Sequence, residues 1–431
     1  MKSRIAYGVV WLTALMASAH AADLGLKTGD VLVFLGDKVS EEYGGPQKAD
    51  EVYYPTLVES FLTVRYPELR VSFWNRSMDG ATAATTLERW NRDVAPLKPT
   101  VVLVCLGAQE TGANAADAAM VEKHKESMVR LLQTAKQAGC RVYVMSPPSV
   151  LDSGASPGGP QPGVANAARA KLADAQRDIA TAEKAVYIDW NGETQPGRKG
   201  VGPALIAAAD GVRYGIRAHA LAASLILDAW KAEPIAVEMT MDWKAGSMQS
   251  NVGRATASIG KDDSREIRVT GLPLPWPMAV GQTHLMASEG EASKWCRFML
   301  KVTGVPSSGV LTSDGSRQGI MLAQQLTEGT NLIAVDPLRS LQAAQDLLAL
   351  IRRKNYTRVH AWRDQELQPI KEPELVEGQK TLIDAWHKYV EGYEKIIART
   401  PKTFDFFITF SELKMPTLPS APVTRPAGAA N

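Results

Sequence analysis

Short apolar runs alternate with helical stretches between residues 24 and 233, and this alternation limits the possible folds more than any other feature. The runs cover residues 31–35, 69–74, 100–106, 141–146 and 185–189. Each is nearly continuous in apolar residues, which is typical of parallel strands that are buried on both faces. The pattern therefore predicts a doubly wound α/β fold in which helices cover both faces of a parallel five-stranded sheet.

Helical patterns over residues 118–138, 164–184 and 216–231 lie between or after these runs. In a sheet of this kind, ligands bind beyond the carboxyl ends of the strands. The residues that follow each run are therefore the candidate site residues. The segment 151–163 is rich in Gly, Pro and Ser, and it is either one wall of that site or a disordered insertion.

The pattern changes after Glu233-Pro234. Residues 235–415 carry short strand-like pieces with turn signals and two helical stretches at 341–354 and 374–399, so we expect a smaller, mixed β/helical C-terminal region. In the second helix, Trp386, Tyr389 and Tyr393 recur at helical spacing, which indicates core or interdomain packing. The Pro- and Ala-rich residues 416–431 are predicted to be a disordered tail.

The first residues have the features of a secretory signal. Lys2 and Arg4 precede an apolar stretch over residues 5–16, and Ala19-His20-Ala21 forms a small-residue cleavage site. The sequence therefore predicts a signal peptide over residues 1–21 and an exported protein, either periplasmic or secreted. No later segment is apolar enough to predict a stable membrane span.

Composition excludes several classes of partner and cofactor. The chain has 48 Lys and Arg against 46 Asp and Glu, so no net field favours nucleic acid. Its three cysteines, Cys105, Cys140 and Cys296, show no metal-binding spacing, and their odd number and strand contexts favour free, packed thiols. No phosphate-binding or dinucleotide-binding loop is present, and no cofactor is predicted.

Four segments at the predicted strand ends together resemble the SGNH/GDSL hydrolase family. They are residues 34–38, with Gly36-Asp37-Lys38, residues 73–82, residues 106–110, and Asp210-Gly211-Val212-Arg213 followed by His219. The resemblance implies a flavodoxin-like three-layer α/β/α domain over residues 24–233 and an activity in acyl or carbohydrate ester hydrolysis. The region after residue 235 is similar to the C-terminal extension of exported members.

The resemblance also shows that this chain departs from the family at its reactive positions. Lys38 stands where members have the nucleophilic serine, Arg213 where they have the catalytic histidine, and Gln109 where they have asparagine. Gly80 and Asp210 alone match the family. Ester hydrolysis by this route needs a hydroxyl nucleophile and a base that accepts its proton, and arginine cannot act as that base. The sequence therefore predicts a degenerate catalytic site.

Other residues near these positions keep a second interpretation open. Ser40 or Ser77 could face the pocket, which Asp37 and Asn75 would also line. His219 could act as a base, although its helix context favours a packed histidine. Lys38 could itself attack an ester if its amine were neutral, but Asp210 and Glu110 are expected to pair with it and keep it charged.

Three functions follow from these observations. The first is a pseudoenzyme in which Lys38, Arg213 and the Gly80 amide bind a glycan or an acidic sugar fragment, because arginine suits carboxylate and sulfate groups. In a variant of this interpretation, salt bridges neutralise both cations and no ligand binds. The alternative is an active ester hydrolase with a non-standard nucleophile or base, and the third is an assembly protein. The oligomeric state stays open.

Overall fold

The computed structural model describes residues 24–42, 52–111, 117–150, 162–195, 198, 214–278, 294–313, 316–334, 339–368 and 370–412. The predicted signal peptide, the tail over residues 416–431, most of the loop 151–163, and both Asp210 and Arg213 lie outside these residues. Those predictions are therefore not tested by the structure.

Five parallel strands form the first sheet, as the sequence predicts. They are β1 Val31–Gly36, β2 Ser72–Asn75, β3 Val101–Cys105, β4 Arg141–Met145 and β5 Val186–Ile188. Their order is β2-β1-β3-β4-β5, and every neighbouring pair is parallel. This is the strand order of flavodoxin-like folds, in which sites form where the order reverses beside β1 and β3. The predicted parallel five-stranded sheet is confirmed.

Helices cover both faces of this sheet. They are α1 Tyr54–Arg65, α2 Ala83–Glu88, α3 Trp90–Asp93, α4 Ala108–Thr111, α5 Ala118–Gln137, α6 Pro162–Ala182, α7 Trp190–Glu193 and α8 Ile216–Ala229. Side chains of β1 alternate between two cores: Leu32 and Phe34 pack with α1 and α8, and Val33 and Leu35 pack with α5 and α6. This alternation produces the predicted three layers, because successive residues of a strand point to opposite faces.

One predicted strand begins too early. The run 69–74 was expected to be extended throughout, but Pro67–Leu69 forms a 3₁₀ turn and Arg70 has a left-handed φ of 48°. The strand β2 starts only at Ser72. The apolar Leu69 is buried in this turn rather than in a strand, so apolar character alone could not separate the two.

The C-terminal region contains two sheets and longer strands than the sequence indicated. The strands are β6 Ile235–Asp242, β7 Ser247–Ser250, β8 Arg254–Ile259, β9 Arg265–Pro273, β10 Cys296–Thr303, β11 Gly309–Ser313, β12 Ser316–Met321, β13 Thr330–Asn331 and β14 Thr403–Glu412. They form sheets in the orders β13-β10-β6-β7 and β12-β11-β14-β9-β8. Buried and exposed residues alternate along β6 and β10. The ring of Trp243, which follows β6, makes an edge-to-face contact with the ring of Phe410 in the other sheet. Strands of this length were missed because their alternating patterns are weaker than continuous apolar runs.

Three helices complete this region: α9 Ala323–Glu328, α10 Arg339–His360 and α11 Pro373–Arg399. The helix α10 extends six residues beyond its predicted end at residue 354 and packs against α1. Lys354 of α10 forms a buried ion pair with Glu59 of α1, and the Arg358 guanidinium lies 4.0 Å from the ring centroid of Trp74. The C-terminal region is therefore attached to the first sheet through α1 and β2.

All three cysteines are buried and free, as their strand contexts favoured. Among the described helices, none combines the length and apolar character that crossing a bilayer requires.

Candidate functional site

The carboxyl ends of β1, β2 and β3 bring three of the family positions to one edge of the sheet. These strands are neighbours, and the backbone N–H of Met78 donates to the Gly36 carbonyl at 3.0 Å. The Gln109 N–H donates to Asp37 Oδ2, also at 3.0 Å. Lys38, Gly80 and Gln109 each follow one of these strands, and we call these three residues the rim.

The rim residues are open to solvent. Lys38 has an exposed fraction of 57% in its side chain, and its Nζ lies 3.9 Å from Oδ2 of the equally open Asp79. Gly80 is exposed in the turn after Asp79 with φ of +80°, a conformation that glycine adopts without steric cost. Gln109 is also exposed. The rim therefore presents a cation, an amide side chain and a turn backbone to solvent.

Asp37 lies directly beneath Lys38 and is buried. Its carboxyl accepts hydrogen bonds from the backbone N–H groups of Val39 and Gln109. Burial raises the pKa of Asp37 to about 6, and the nearby charge of Glu110 acts in the same direction. The two backbone hydrogen bonds oppose this rise only in part. Asp37 therefore ties the turn after β1 to the turn after β3.

Glu110 belongs to a buried chain of hydrogen bonds and does not pair with Lys38 as the sequence predicted. Its Oε1 accepts from the Ala83 N–H at 2.8 Å and lies 3.1 Å from His124 Nδ1. The other ring nitrogen of His124 is 3.0 Å from Gln176 Nε2, which also donates to the Leu106 carbonyl. Because Gln176 Nε2 can only donate, the neutral tautomer that fits both contacts has its proton on Nδ1, from where it donates to Glu110.

The electrostatics of Glu110 follow from this chain. Burial alone would raise its pKa, but the hydrogen bonds from His124 and Ala83 outweigh burial and hold the pKa below its usual range. Glu110 therefore has hydrogen bonds at Oε1, while its buried Oε2 has no hydrogen-bond partner among the described residues. We call Asp37, Glu110, His124, Arg169 and Gln176 the buried polar layer.

Neither candidate serine faces solvent. The hydroxyl of Ser40 is buried under β1 and accepts a hydrogen bond from Tyr54 Oη at 2.7 Å. Asn75 fixes this turn, because its Nδ2 donates to the Ser40 carbonyl and its Oδ1 accepts from the Ser77 N–H. Ser77 is buried too, and its hydroxyl has no hydrogen-bond partner among the described residues. Neither Ser40 nor Ser77 therefore presents an exposed hydroxyl in this structure.

His219 is packed rather than placed beside a hydroxyl. Its ring centroid lies 4.5 Å from that of Tyr53, and Tyr54 and Trp190 border it on other sides. Burial lowers the pKa of His219 to about 3, so the ring is neutral. A histidine in these surroundings has no serine or threonine hydroxyl to activate within the described residues.

Sequence reasoning missed Arg169 as part of the site. This arginine of α6 is buried, its Nη1 donates to the Pro148 carbonyl at 2.7 Å, and it also bonds the hydroxyl of Tyr214. Its charge lowers the pKa of Asp37 slightly against the effect of burial. Arg169 and Lys171 both interrupt a stretch of α6 that is rich in alanine, and the sequence does not tell which of the two is buried.

No metal is supported by the side chains that the structure describes. Within them, no three His, Cys, Asp or Glu residues lie together in an arrangement that could hold a metal ion. Asp210 and Arg213, the other two family positions, lie outside the described residues.

Residues 34–209 match the model of the GDSL-like Lipase/Acylhydrolase family. This segment of the chain is similar to that family. The match runs from Phe34 in β1 through the rest of the first sheet, and it includes the whole rim. A search of curated protein sequences found no significant match.

Two solved structures are similar to this chain, and the alignment with the first extends beyond the GDSL-like segment. One described as "BT4096 a gut microbial diltiazem-metabolizing enzyme" is 18% identical with a TM-score of 0.69, and the alignment covers 90% of this chain and 98% of that chain. Axe2, an acetylxylan esterase from Geobacillus stearothermophilus, is 20% identical with a TM-score of 0.40 over 49% of this chain and 98% of that chain. The first similarity shows that the C-terminal region also follows a known fold.

The chemistry of the GDSL-like segment depends on the pairs of groups that it brings together. Among the described residues, no serine or threonine hydroxyl is hydrogen-bonded to a histidine ring, which is the pair that acyl transfer requires. The exposed groups at the strand ends are Lys38, Gln109 and the Gly80 turn. This arrangement can donate hydrogen bonds to an anion, and it offers no activated hydroxyl.

Proposed function

We propose that the GDSL-like segment binds an anionic group, such as the carboxylate or sulfate of an acidic glycan, at the rim and does not hydrolyse esters. The observation that carries this proposal is the solvent-exposed Lys38 at the strand end where the family has its nucleophile. An ammonium group there places a positive charge beside the turn that would otherwise stabilise an oxyanion.

The surrounding residues support the loss of ester hydrolysis. Both nearby serines are buried, and His219 and His124 are each held by other partners. In another hydrolase, removal of the nucleophile or the base lowers turnover by about 10⁶. Since Lys38 and Arg213 replace both groups at once, we expect no turnover by this route.

The electrostatics of Lys38 support anion binding. Its partner Asp79 is half exposed and 3.9 Å away, and exposed ion pairs of this kind contribute only about 0–1 kcal/mol. A ligand carboxylate or sulfate can therefore replace Asp79 at little cost. The N–H of exposed Gly80 has no acceptor among the described residues and is available as a second donor. Arg213, two positions after Gly211, would add a bidentate donor if it lies at the same edge.

We also propose that the protein is exported, which would expose it to glycans outside the cytoplasm. The basic start, the short apolar stretch and Ala19-His20-Ala21 support this proposal. Amino-terminal sequencing of the protein purified from a Gram-negative host should give Ala22 as the first residue. An intact Met1 would contradict export by this signal.

Isothermal titration tests the binding proposal. We expect uronic acids or sulfated sugars to bind, their neutral parent sugars to bind at least about 10-fold more weakly, and Lys38→Ala to weaken the acidic ligand by a similar factor. Lys98→Ala, which removes an exposed lysine in the turn before β3, is the matched control and should bind normally. Equal heats for acidic and neutral sugars, or no heat for either, would contradict the proposal.

An assay with short acyl esters tests the alternative of an active hydrolase. We expect the rate to equal that of buffer. Turnover that disappears in Lys38→Ala would instead assign Lys38 as a non-standard nucleophile. The double variant Lys38→Ser with Arg213→His then asks whether the remaining pocket supports catalysis, and a gain of turnover would show that only these two positions are degenerate.

A further inference from the structure

The helix α11 carries a row of large apolar side chains that face solvent. Leu375, Leu382, Tyr389 and Ile396 recur every seven residues, with exposed fractions of 54%, 42%, 59% and 49%. The sequence had indicated core or interdomain packing for Tyr389, and in the structure its side chain is exposed. A neighbouring side of α11, about 100° around the helix, is already used, because Val390 and Ile397 are buried. Aligned exposed apolar residues of this kind mark interaction surfaces.

A second row of small residues lies beside the first. Gly378, Ala385 and Gly392 follow the large residues by three positions and are also spaced by seven. Glycine inside a helix is destabilising relative to alanine. A Cβ atom at Gly378 or at Gly392 would meet nothing within 4 Å, so packing inside this chain does not require either glycine. Their small size therefore leaves room for a close contact on this side of α11.

The two rows together have the heptad form of a helix-pairing surface. In the first three heptads, large residues occupy one core position and small residues occupy the other. If two copies of α11 lie antiparallel, Leu375 faces Gly392 of the second copy, Leu382 faces Ala385, and Tyr389 faces Gly378. Each of these three pairs is centred midway between residues 383 and 384. A large side chain thus meets a small one in each of these three layers, and Ile396 would lie opposite Lys371, just before α11 begins.

Charges beside the rows favour the same direction. Glu374 lies beside the amino-terminal end of the apolar row, and Lys388 and Lys395 lie on the same side near its carboxyl-terminal end. None of the three forms an ion pair with a described residue. An antiparallel pair places Glu374 opposite Lys395 of the second copy. A parallel pair would instead place like charges together and large side chains against each other.

We propose that α11 is a homodimer interface, in which two copies of this chain pair antiparallel about a two-fold axis between residues 383 and 384. The apolar row from Leu375 to Ile396 is about 32 Å long at 1.5 Å per residue. A closed two-fold contact needs a surface that is complementary to itself, and the alternation of large and small residues gives this helix that property. A groove of about 610 Å³ between α10 and α11, lined by Tyr356, Trp386 and Tyr389, borders the row and extends the area that a second copy would cover.

Sedimentation velocity of the purified full chain over a range of concentrations tests the proposal. We expect a concentration-dependent monomer–dimer equilibrium, and Leu382→Glu should weaken it by at least 30-fold because the change occurs twice in each dimer. Val376→Glu is the matched control. Val376 is on the same helix with an exposed fraction of 46%, but it lies off both rows, so this variant should dimerise normally.

Two further variants distinguish pairing from a general effect on the helix. Glu374→Lys should weaken the dimer several-fold, and adding Lys395→Glu should restore it. Gly392→Ala should raise the thermal midpoint of the monomer, because it improves the helix, and should weaken the dimer at the same time. A chain that stays monomeric at every concentration would overturn the proposal and assign the rows to a different partner. A dimer that Leu382→Glu does not affect would overturn it as well.

Discussion

Two residues of the rim, Lys38 and Gln109, are sequence neighbours of two residues of the buried polar layer, Asp37 and Glu110. The rim and the layer differ in how firmly the structure holds their side chains. Lys38 and Gln109 extend into solvent, and Asp79, whose carboxylate lies 3.9 Å from Lys38 Nζ, is itself half exposed. Directly below, Asp37 and Glu110 each accept two hydrogen bonds from named donors. We therefore expect substitutions in the rim to change ligand binding, and substitutions in the buried polar layer to change the free energy of unfolding.

The largest effect should come from the buried polar layer. Glu110→Ala removes the acceptor of the His124 ring N–H and of the Ala83 backbone N–H, and both donors would be left without a partner. Each such loss costs about 1–3 kcal/mol, so we expect the free energy of unfolding to fall by roughly 4 kcal/mol. Urea unfolding, followed by circular dichroism at constant slope, measures this change.

The control for this variant is Glu122→Ala on the neighbouring helix α5. Glu122 is exposed and pairs only with Lys125, so its loss should change stability by less than about 0.5 kcal/mol. If Glu110→Ala were as mild as Glu122→Ala, the buried layer would not be the firmly held part of this edge.

The next effect is a dependence of stability on pH that Asp37 introduces. Burial raises the pKa of Asp37 to about 6, above the unfolded value of about 3.9. The folded state therefore binds the proton more tightly than the unfolded state between these pH values. The resulting stabilisation is complete below about pH 4 and is lost as the pH rises through 6, a total of about 3 kcal/mol.

Urea unfolding of the wild type and Asp37→Asn between pH 4 and 7 measures this contribution. The variant should lack the decline, so the stability difference between the two proteins should shrink as pH rises. Asparagine also loses an acceptor for a backbone N–H, which lowers the free energy of unfolding of the variant by the same amount at all pH values. The test is therefore the slope of the free energy of unfolding against pH. Parallel curves would show that Asp37 ionises normally in spite of its burial.

Smaller effects on stability are expected at two glycines, Gly36 at the end of β1 next to Asp37 and Gly80 in the rim. A Cβ at Gly36 would lie 2.3 Å from Ser40 Oγ and 2.8 Å from the Cys105 carbonyl, so Gly36→Ala should cost about 2 kcal/mol through overpacking. At Gly80 nothing lies within 4 Å, and Gly80→Ala should cost about 1 kcal/mol because of its positive φ. A shift of urea midpoints in the reverse order would show that the rim is the more tightly packed part.

Local patterns in the sequence predicted the first sheet well because buried parallel strands are continuous in apolar residues. They also placed Lys38, Gly80 and Gln109 at one edge, since the carboxyl ends of neighbouring parallel strands meet there. The partner of Glu110 could not be predicted in this way. His124 and Gln176 are 52 residues apart and meet only because α5 and α6 pack on the same face of the sheet.

The direction in which a serine points was likewise hidden from the sequence. Ser40 lies two residues beyond Lys38, and a single turn of backbone decides whether its hydroxyl faces solvent or Tyr54. The seven-residue spacing of the rows in α11 is visible in the sequence and is typical of a helix. Spacing alone does not tell which face of a helix the rest of the chain covers. Packing between distant segments decides both questions.

The smallest effect on stability should come from substitution of Lys38. This substitution gives the clearest contrast between the rim and the buried polar layer. Removal of an exposed side chain whose nearest carboxylate is 3.9 Å away should change the free energy of unfolding by less than about 0.5 kcal/mol. Lys38→Ala and the longer, neutral Lys38→Met should therefore unfold at the wild-type urea midpoint while both lose affinity for acidic sugars. Normal binding by Lys38→Met would assign the contribution to the aliphatic chain of Lys38 and not to its charge. A loss of stability above 1 kcal/mol in both variants would instead make Lys38 part of the structural network, because an ammonium group that the fold needs is not free to exchange Asp79 for a ligand.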